Sequence, residues 1–404
     1  MSDKTVLAYS GGLDTSVAIR WMKETYGSDV ITLTVDVAGD RDLEGTRQKA
    51  LAVGAVKALV ADAREAFLNG FVFPALKANA VYQGVYPLAT ALSRPLMAKL
   101  LVEAARQEGA TAVAHGCTGK GNDQVRFDVA VAALAPDLKV IAPAREWGMT
   151  REETIAYADK HGIPVPITSA SPYSIDENLW GRSIECGVLE DPWVEPPRDV
   201  FAWTASPEET PEQPAYVEIG FEKGLPISLD GQRLDGVSLV LELNRVAGLH
   251  GVGRIDHIED RLVGIKSREI YEAPAGTVLV MAHKALEAMT LSRDQLRFKE
   301  RVAAEYSDLV YNGLWYSGLR RDLAAFVNSS QRHVTGTVRL KLHRGNCRVV
   351  GRKSTSSLYR HDLATYDEGD AFDHSAAPGF IQLWGLTTRV QAQVQPEEGG
   401  GDLS

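Results

Sequence analysis

Cysteine is scarce in this chain: Cys117, Cys186 and Cys347 are the only three in 404 residues. They are odd in number and far apart, which excludes a disulfide framework and a paired metal-ligand motif. Long apolar runs are missing too; none reaches the ~20 residues a membrane-spanning helix needs. The opening MSDKTVLAYSGG lacks the charged, apolar and small-residue sectors of a signal peptide, so a reduced cytoplasmic protein is expected. Positive charge is in deficit, with 43 Lys and Arg against 53 Asp and Glu and a formal net charge of −10. Such a balance opposes general attraction to nucleic acid phosphates. One basic strip stands out, RLKLHRGNCRVVGRK at 339–353, where Arg339, Lys341 and His343 alternate with apolar residues. It reads as a strand with one solvated face; an RNA-binding strip is the alternative.

Two familiar phosphate motifs are also absent. There is no G-x-G-x-x-G dinucleotide fingerprint and no Walker pattern. GCTGKGND at 116–123 contains a Gly-Lys, but Gly121 stands where a metal-binding hydroxyl would be needed.

What is present suits a soluble protein large enough for two domains: 45% hydrophobic and 24% charged residues, with 36 Gly and 18 Pro. Residues 1–168 alternate strand-like runs (TVLAYS, VITLTVDV, VKALVAD, TAVAHGC, KVIAPA) with helix-like ones (TSVAIRWMKETYG, LEGTRQKALAVGA, PLMAKLLVEAARQEGA). That rhythm predicts an α/β fold, a Rossmann-like parallel sheet with helices on both faces. Ligands of such sheets bind at the carboxyl ends of strands. From 169 the rhythm becomes α+β. The stretch 190–214 reads as an irregular excursion, AYVEIGFEKGLPISLDGQRLDG as antiparallel strands turning at Asp230-Gly231, and SLVLELNRVAGLHG as a helix. Strands are expected again near 277–283 and 334–350. The expected domains are 1–168, 169–372 and a helical tail at 373–404, with the closing PEEGGGDLS disordered. In the tail, Phe380, Leu383, Leu386, Val390 and Val394 form one helical stripe, which packs on its own domain or, as favoured here, on another subunit.

The most informative corner is AYSGGLDTS, 8–16. If TVLAYS is the first strand, Gly11 and Gly12 turn the backbone with amides exposed, and Asp14, Thr15 and Ser16 open the following helix. Free amides and the helix dipole favour an anion there, and the hydroxyls of Ser10, Thr15 and Ser16 add donors. The plain alternative is a Gly-Gly turn with an ordinary helix cap. The stretch resembles the S-G-G-x-D-[ST]-S pyrophosphate loop of the N-type ATP pyrophosphatases, which cleave between the α- and β-phosphates.

Further blocks narrow the resemblance: YPLATALSRP (86–95), HGCTGKGNDQVRFD (115–128), YSIDENLWGRSIECG (173–187), GVGRIDHIEDR (251–261) and KSREIYEAPAGT (266–277). Together they resemble argininosuccinate synthase, in order over roughly residues 5–390. That resemblance implies an AMP-forming ligase of arginine biosynthesis, with a nucleotide-binding domain, an α+β synthetase and multimerisation domain and a C-terminal oligomerisation helix. It implies that citrulline, aspartate and ATP are the partners, with Mg²⁺ accompanying ATP. It also implies a cytoplasmic homotetramer without nucleic acid or membrane partners and without a metal site of its own. The ureido oxygen of citrulline would attack the α-phosphorus to give a citrullyl-adenylate, and the aspartate amine would then expel AMP.

Carried over by motif, the ATP contacts are Ala8, Tyr9, Ser10, Gly11, Gly12, Leu13, Asp14, Thr15, Ser16, Val35 and Gly116. The aspartate contacts are Thr118, Asn122 and Asp123. Tyr86, Thr90, Asn122, Arg126, Ser174, Ser183, Glu259 and Tyr271 match the citrulline positions, with Arg126 offering a fork for the carboxylate. One departure is TALSRP where many members read TSLARP. Ala91 cannot donate the serine's hydrogen bond, which leaves Thr90 or Ser93 to compensate. Cys117 has no partner base at motif spacing and reads as a spectator. His115 either polarises a phosphate or ends its strand. A tRNA-modifying sulfurtransferase would need a catalytic cysteine pair or a basic surface. A nucleotide-sensing protein would have no use for blocks that grip two amino acids.

Overall fold

The fold is taken from a computed structural model, which describes residues 3–39, 42–119, 121–164, 173–367 and 369–395. The expected domain boundary at 168 and the closing residues 396–404 lie outside the described residues.

The first sheet is wholly parallel, in the order β3-β2-β1-β4-β5, from β1 (Lys4–Ala8), β2 (Asp29–Asp36), β3 (Lys57–Asp62), β4 (Ala112–Ala114) and β5 (Lys139–Ile141). Successive side chains on a strand face opposite ways, and β1 shows the consequence. Val6 is buried in one core with Leu92, Leu96 and Leu101, while Leu7 is buried in another with Val17, Ala18 and Met22. Both faces are therefore covered, as the strand–helix alternation predicts. The strand order reverses at β1, which pairs with β2 on one side and β4 on the other. Crevices open at such a reversal, beyond the carboxyl ends of the two strands. The Gly11-Gly12 corner follows β1 and Gly116 follows β4, so both meet there.

Beyond residue 173 there are two antiparallel sheets. One is β11-β12-β7-β6, from β6 (Ser174–Asn178), β7 (Gly181–Glu185), β11 (Arg254–Asp260) and β12 (Lys266–Glu272). The other is β10-β9-β8-β13-β14, from β8 (Ala215–Glu222), β9 (Leu225–Leu229), β10 (Gln232–Arg233), β13 (Gly336–His343) and β14 (Asn346–Lys353). Asp230 and Gly231 both have positive φ, 50° and 81°, as a tight hairpin demands. In the basic strip Leu340 and Leu342 are buried, as is Val338 just before it, while Arg339 points outward and bonds Glu218 at 2.7 Å. The strip is thus not one strand but two, β13 and β14, joined by a turn at Arg344-Gly345; β13 alternates a buried face with a wetter one, and its leading cation is already paired.

The strand expected at 277–283 is instead part of a helix, Pro274–Thr290. Proline at its first turn suits a helix start. Val278, Leu279, Ala282 and Leu286 are all fully buried, spaced by one to four residues. An element apolar around most of its girth hides the helical period, and a short window of it reads equally as a buried strand.

Residues 357–404 form a separate unit. The stripe predicted as one helix is two, Ala377–Trp384 and Leu386–Val394, which meet at Gly385. Glycine's conformational freedom makes it a natural break point. Phe380, Leu383, Trp384 and Val394 are all more than 60% exposed.

Candidate active site

The first helix, α1 (Leu13–Tyr26), is preceded by Gly12, which has no side chain to cap it. Its opening amides therefore face outward, available to an anion. Gly11 has φ +80°, the left-handed region where a side chain would be strained, and its carbonyl accepts Lys49 Nζ at 2.5 Å. Ser10 Oγ accepts the Gly12 N–H at 3.3 Å and lies 3.1 Å from Thr15 Oγ1. A cavity of about 260 Å³ opens in front of this corner, lined by Ala8, Tyr9, Ser10, Gly12, Leu13, Asp14, Thr15, Val35 and Gly116. Leu33, Met97, Leu101 and Phe127 supply apolar walls. Gly11 and Ser16 are not on that wall; Ser16 is fully buried, with its hydroxyl 3.0 Å from Tyr9 Oη. Both act on the corner's shape from behind.

His115 is resolved by its contacts. The Cys117 N–H donates to Nδ1 at 3.2 Å, which leaves the proton on Nε2 to be donated to Asp128 at 2.7 Å. With both nitrogens engaged, the ring ends β4 and props the Gly116–Cys117 loop. Burial, reinforced by Asp123, pushes the Cys117 thiol up to about 12, so it carries almost no thiolate at neutral pH.

A second cavity, of about 430 Å³, adjoins the first. Thr118, Asn122, Asp123 and Arg126 enter it from the loop after β4 and from the Asn122–Leu134 helix. Tyr86 comes from the segment before the Ala89–Glu108 helix and Thr90 from its first turn, and Ser174, Ser183, Glu259 and Tyr271 from the antiparallel sheet. Strand register explains the last group. Ser183 pairs across the strands with both Asp176 and Tyr271, so one row of side chains crosses three strands on a single face. All the residues assigned by motif to the two amino acids thus share one cavity.

Glu259 is buried, and its carboxylate accepts Tyr271 Oη at 2.6 Å and Tyr311 Oη at 2.5 Å. The tyrosines are held by stacking, Tyr86 on Tyr271 at 4.1 Å and Tyr82 on Tyr311 at 3.6 Å. Asn122 donates to Tyr311 Oη at 2.8 Å and accepts the Leu262 N–H at 2.9 Å, tying the two halves of the cavity together. Arg126 is buried, bonds Asp123 at 2.9 Å and lies under the Tyr311 ring. Burial opposes the Asp123 charge, but Arg94 and Arg126 outweigh it and hold the carboxyl below its ordinary range.

Sequence reasoning passed over Arg94, Asp176, Glu185, Arg261, Glu269 and Tyr311. Arg94, Asp176, Glu185, Arg261 and Glu269 line the second cavity. Periodicity could have found most of them. Asp176, Glu185 and Glu269 each lie two residues from a chosen position on the same strand face, Arg261 lies two residues past Glu259 just beyond the end of β11, and Arg94 lies one helical turn beyond Thr90. Tyr311 arrives from a helix end with no motif around it. Ala91 is fully buried and does not line the cavity, and Ser93 turns away to the Thr90 carbonyl at 2.9 Å. Only Thr90 remains to offer a hydroxyl, 3.5 Å from Ser183 Oγ.

Two family models account for nearly all of the chain. One, described as Arginosuccinate synthase N-terminal HUP domain, matches residues 4–164; the other, Arginosuccinate synthase C-terminal domain, matches 173–391. The chain belongs to the argininosuccinate synthase family. It is 63% identical to the argininosuccinate synthase of Dehalococcoides mccartyi over the whole of both chains. It is 61% identical to that of Symbiobacterium thermophilum, covering 97% of this chain and 98% of the relative. The argininosuccinate synthase of Oceanobacillus iheyensis is 57% identical, with coverage of 98% and 95%. In the argininosuccinate synthase family frame, the HUP match spans the parallel sheet and its glycine corner, and the C-terminal match spans the sheet face that carries Ser174, Ser183, Glu259 and Tyr271.

Proposed function

We propose that this chain, a ligase that joins citrulline to aspartate at the expense of ATP, works by adenylating citrulline across the junction of its two cavities. The observation that carries the reading is that Ser10, Arg94, Gly116, Cys117 and Asp176 line both cavities. A group bound in one therefore meets a group bound in the other. ATP takes the first cavity, with adenine among Leu33, Val35, Met97 and Phe127 and its pyrophosphate end on the open amides of α1. Citrulline takes the second, with its carboxylate toward Arg126 and its ammonium toward Glu259 and the Ser174, Ser183 and Tyr271 hydroxyls. Thr118, Asn122 and Asp123 receive aspartate. Its amine, as the free base, attacks the ureido carbon, the bond from that carbon to the ureido oxygen breaks, AMP leaves with the oxygen and its electron pair, and the attacking nitrogen gives up one proton to solvent. Proximity and fixed dipoles do this work, and no covalent enzyme intermediate is needed.

Mg²⁺ belongs to the same proposal. Asp14 is solvent-facing on the cavity wall, and no set of three metal-ligating side chains occurs among the described residues. A single carboxylate beside phosphates suits Mg²⁺, which keeps several waters and neutralises phosphate charge. Residues 1–168 would hold the nucleotide and supply Tyr86, Thr90, Thr118, Asn122, Asp123 and Arg126 to the amino acids, with 169–372 contributing Ser174, Ser183, Glu259 and Tyr271. The exposed stripe from Phe380 to Val394 in the tail supports a homotetramer, which sedimentation of the full chain would reveal. Three unpaired cysteines and the absence of a helix long and apolar enough to cross a membrane, among the described residues, support a cytoplasmic setting. The deciding assay is pyrophosphate release with citrulline and aspartate supplied singly and together. Release must require citrulline, and AMP must accumulate over many turnovers only with both. Turnover without citrulline would defeat the proposal.

A further inference from the structure

We propose that Arg94 is a catalytic residue of the adenylation step, its guanidinium facing the α-phosphoryl group of ATP while the ureido oxygen attacks. The inference rests on the adenylation reading above and assigns the charge that such a transfer needs.

Arg94 stands at the one place both substrates must reach. It lines the nucleotide cavity and the amino-acid cavity alike. If pyrophosphate sits on the α1 amides and citrulline in the neighbouring cavity, the α-phosphorus lies at their junction. Among the described residues, Arg94 is the only lysine or arginine on the wall of the nucleotide cavity. His115 also lines it, but both of its ring nitrogens are already engaged. Asp14 and Asp176 on the same wall are negative, and Mg²⁺ beside Asp14 would serve the pyrophosphate end, so Arg94 is the wall's positive side chain for the α-phosphoryl group.

The side chain is also aimed and incompletely used. Its Nε donates to Asp123 at 2.8 Å, and Nη2 bonds Asp123 at 2.7 Å and also Asp176. These contacts hold the guanidinium plane and leave little freedom to lose when a ligand arrives. Its side chain is only 13% exposed. Nη1, by contrast, has among the described residues only the Met97 thioether at 3.5 Å, a weak acceptor. A charged N–H group buried beside a sulfur is a donor in want of an oxygen, and a non-bridging phosphoryl oxygen meets that need. Asp123 is shared with Arg126, so two carboxylates serve two guanidiniums and Arg94 is not over-neutralised.

In the step itself the ureido oxygen gives a lone pair to the α-phosphorus and a new P–O bond forms. The bond from the α-phosphorus to the α,β-bridging oxygen breaks, and its electron pair leaves with pyrophosphate. Arg94 exchanges no proton; it stabilises negative charge on the α-phosphoryl oxygens as the bonds change, which is electrostatic catalysis by a prearranged donor.

The test uses the full-length chain with Arg94→Ala and Arg94→Lys, following citrulline-dependent pyrophosphate release. Losing one such donor is expected to lower kcat by roughly 100- to 1000-fold, with KM for ATP and for citrulline changed by less than about threefold. Millimolar guanidinium ion should restore activity to Arg94→Ala in a saturable way and do nothing for wild type. Should the alanine variant fail to fold with Asp123 and Asp176 less well paired, Arg94→Lys keeps the charge and serves instead. It should show wild-type melting and a kcat at least about tenfold lower. Retained kcat in either variant overturns the proposal. So does a loss that tracks Tm or KM and resists guanidinium. Wild-type enzyme that releases no pyrophosphate with citrulline would refute the adenylation reading itself, an outcome distinct from the variants'.

Discussion

Glu259→Gln offers a sharp test of the amino-acid cavity. The carboxylate is 3% exposed and receives two tyrosine hydroxyls, at 2.6 Å from Tyr271 and 2.5 Å from Tyr311. Those tyrosines are pinned by stacking on Tyr86 and Tyr82, so a glutamine of equal shape keeps its place. One hydroxyl can still donate to the amide oxygen; the other must turn and accept from the amide nitrogen. Exchanging charge-assisted hydrogen bonds for neutral ones costs the fold about 1–2 kcal/mol, a modest lowering of Tm. The larger effect falls on the substrate. If Glu259 neutralises the citrulline ammonium, the lost buried ion pair is worth about 2–4 kcal/mol, or roughly 30- to 1000-fold in the citrulline KM. The KM for ATP, which the proposal puts in the other cavity, should move by less than about twofold. Steady-state pyrophosphate release with citrulline and then ATP varied gives both values. A citrulline KM within about threefold of wild type, or an equal rise in the ATP KM, would refute the reasoning.

Three further outcomes follow from the same geometry. In Gly116→Ala the new Cβ would stand 2.9 Å from Thr15 Cγ2, tighter than real contacts, so the glycine corner and the β4 loop must separate. Overpacking of this kind costs about 1–3 kcal/mol, and calorimetric titration should show ATP affinity at least about fivefold weaker. Cys117→Ala should keep kcat within about threefold, and iodoacetamide should leave the wild type active; abolished turnover would restore the cysteine as a participant. Burial, then Glu185, raises the Glu269 carboxyl to about 7. The folded chain therefore holds a proton there that the unfolded chain releases near 4.5. Stability from this group is complete below 4.5 and is lost as pH rises through 7, by at most about 3 kcal/mol. Glu269→Gln should accordingly melt above wild type at pH 8 and approach it at pH 5; parallel curves would contradict the assignment.

Local patterns made the nucleotide half readable. TVLAYS ends where Gly11 turns with positive φ, and the alternation of short apolar runs with helical ones is covered on both faces as read. The motif residues of the amino-acid cavity were equally visible, because each sits in a distinctive block. What stayed hidden depends on three-dimensional proximity. Tyr311 reaches Glu259 from 52 residues away, and Arg94 meets Asp176 across 82. The Pro274–Thr290 helix was misread at 277–283 because the sequence is apolar at every position from Val278 to Ala282, which hides the period in so short a window, although burial along the helix follows one face. Gly385 split the tail stripe because an apolar spacing pattern carries no penalty for a glycine between its members. The TALSRP departure became interpretable only once Ser93 was seen facing the Thr90 carbonyl, which leaves Thr90 as the hydroxyl on the cavity wall.

The account turns on contact between the citrulline ureido oxygen and the α-phosphorus at the junction of the two cavities. Citrulline labelled with heavy oxygen in the ureido group, turned over with ATP and aspartate, tests this most directly by mass spectrometry of the nucleotide product. Label recovered in the phosphate of AMP, one atom per turnover, is the result the account predicts. Unlabelled AMP, with the heavy oxygen in water, in pyrophosphate or still on carbon, would contradict it.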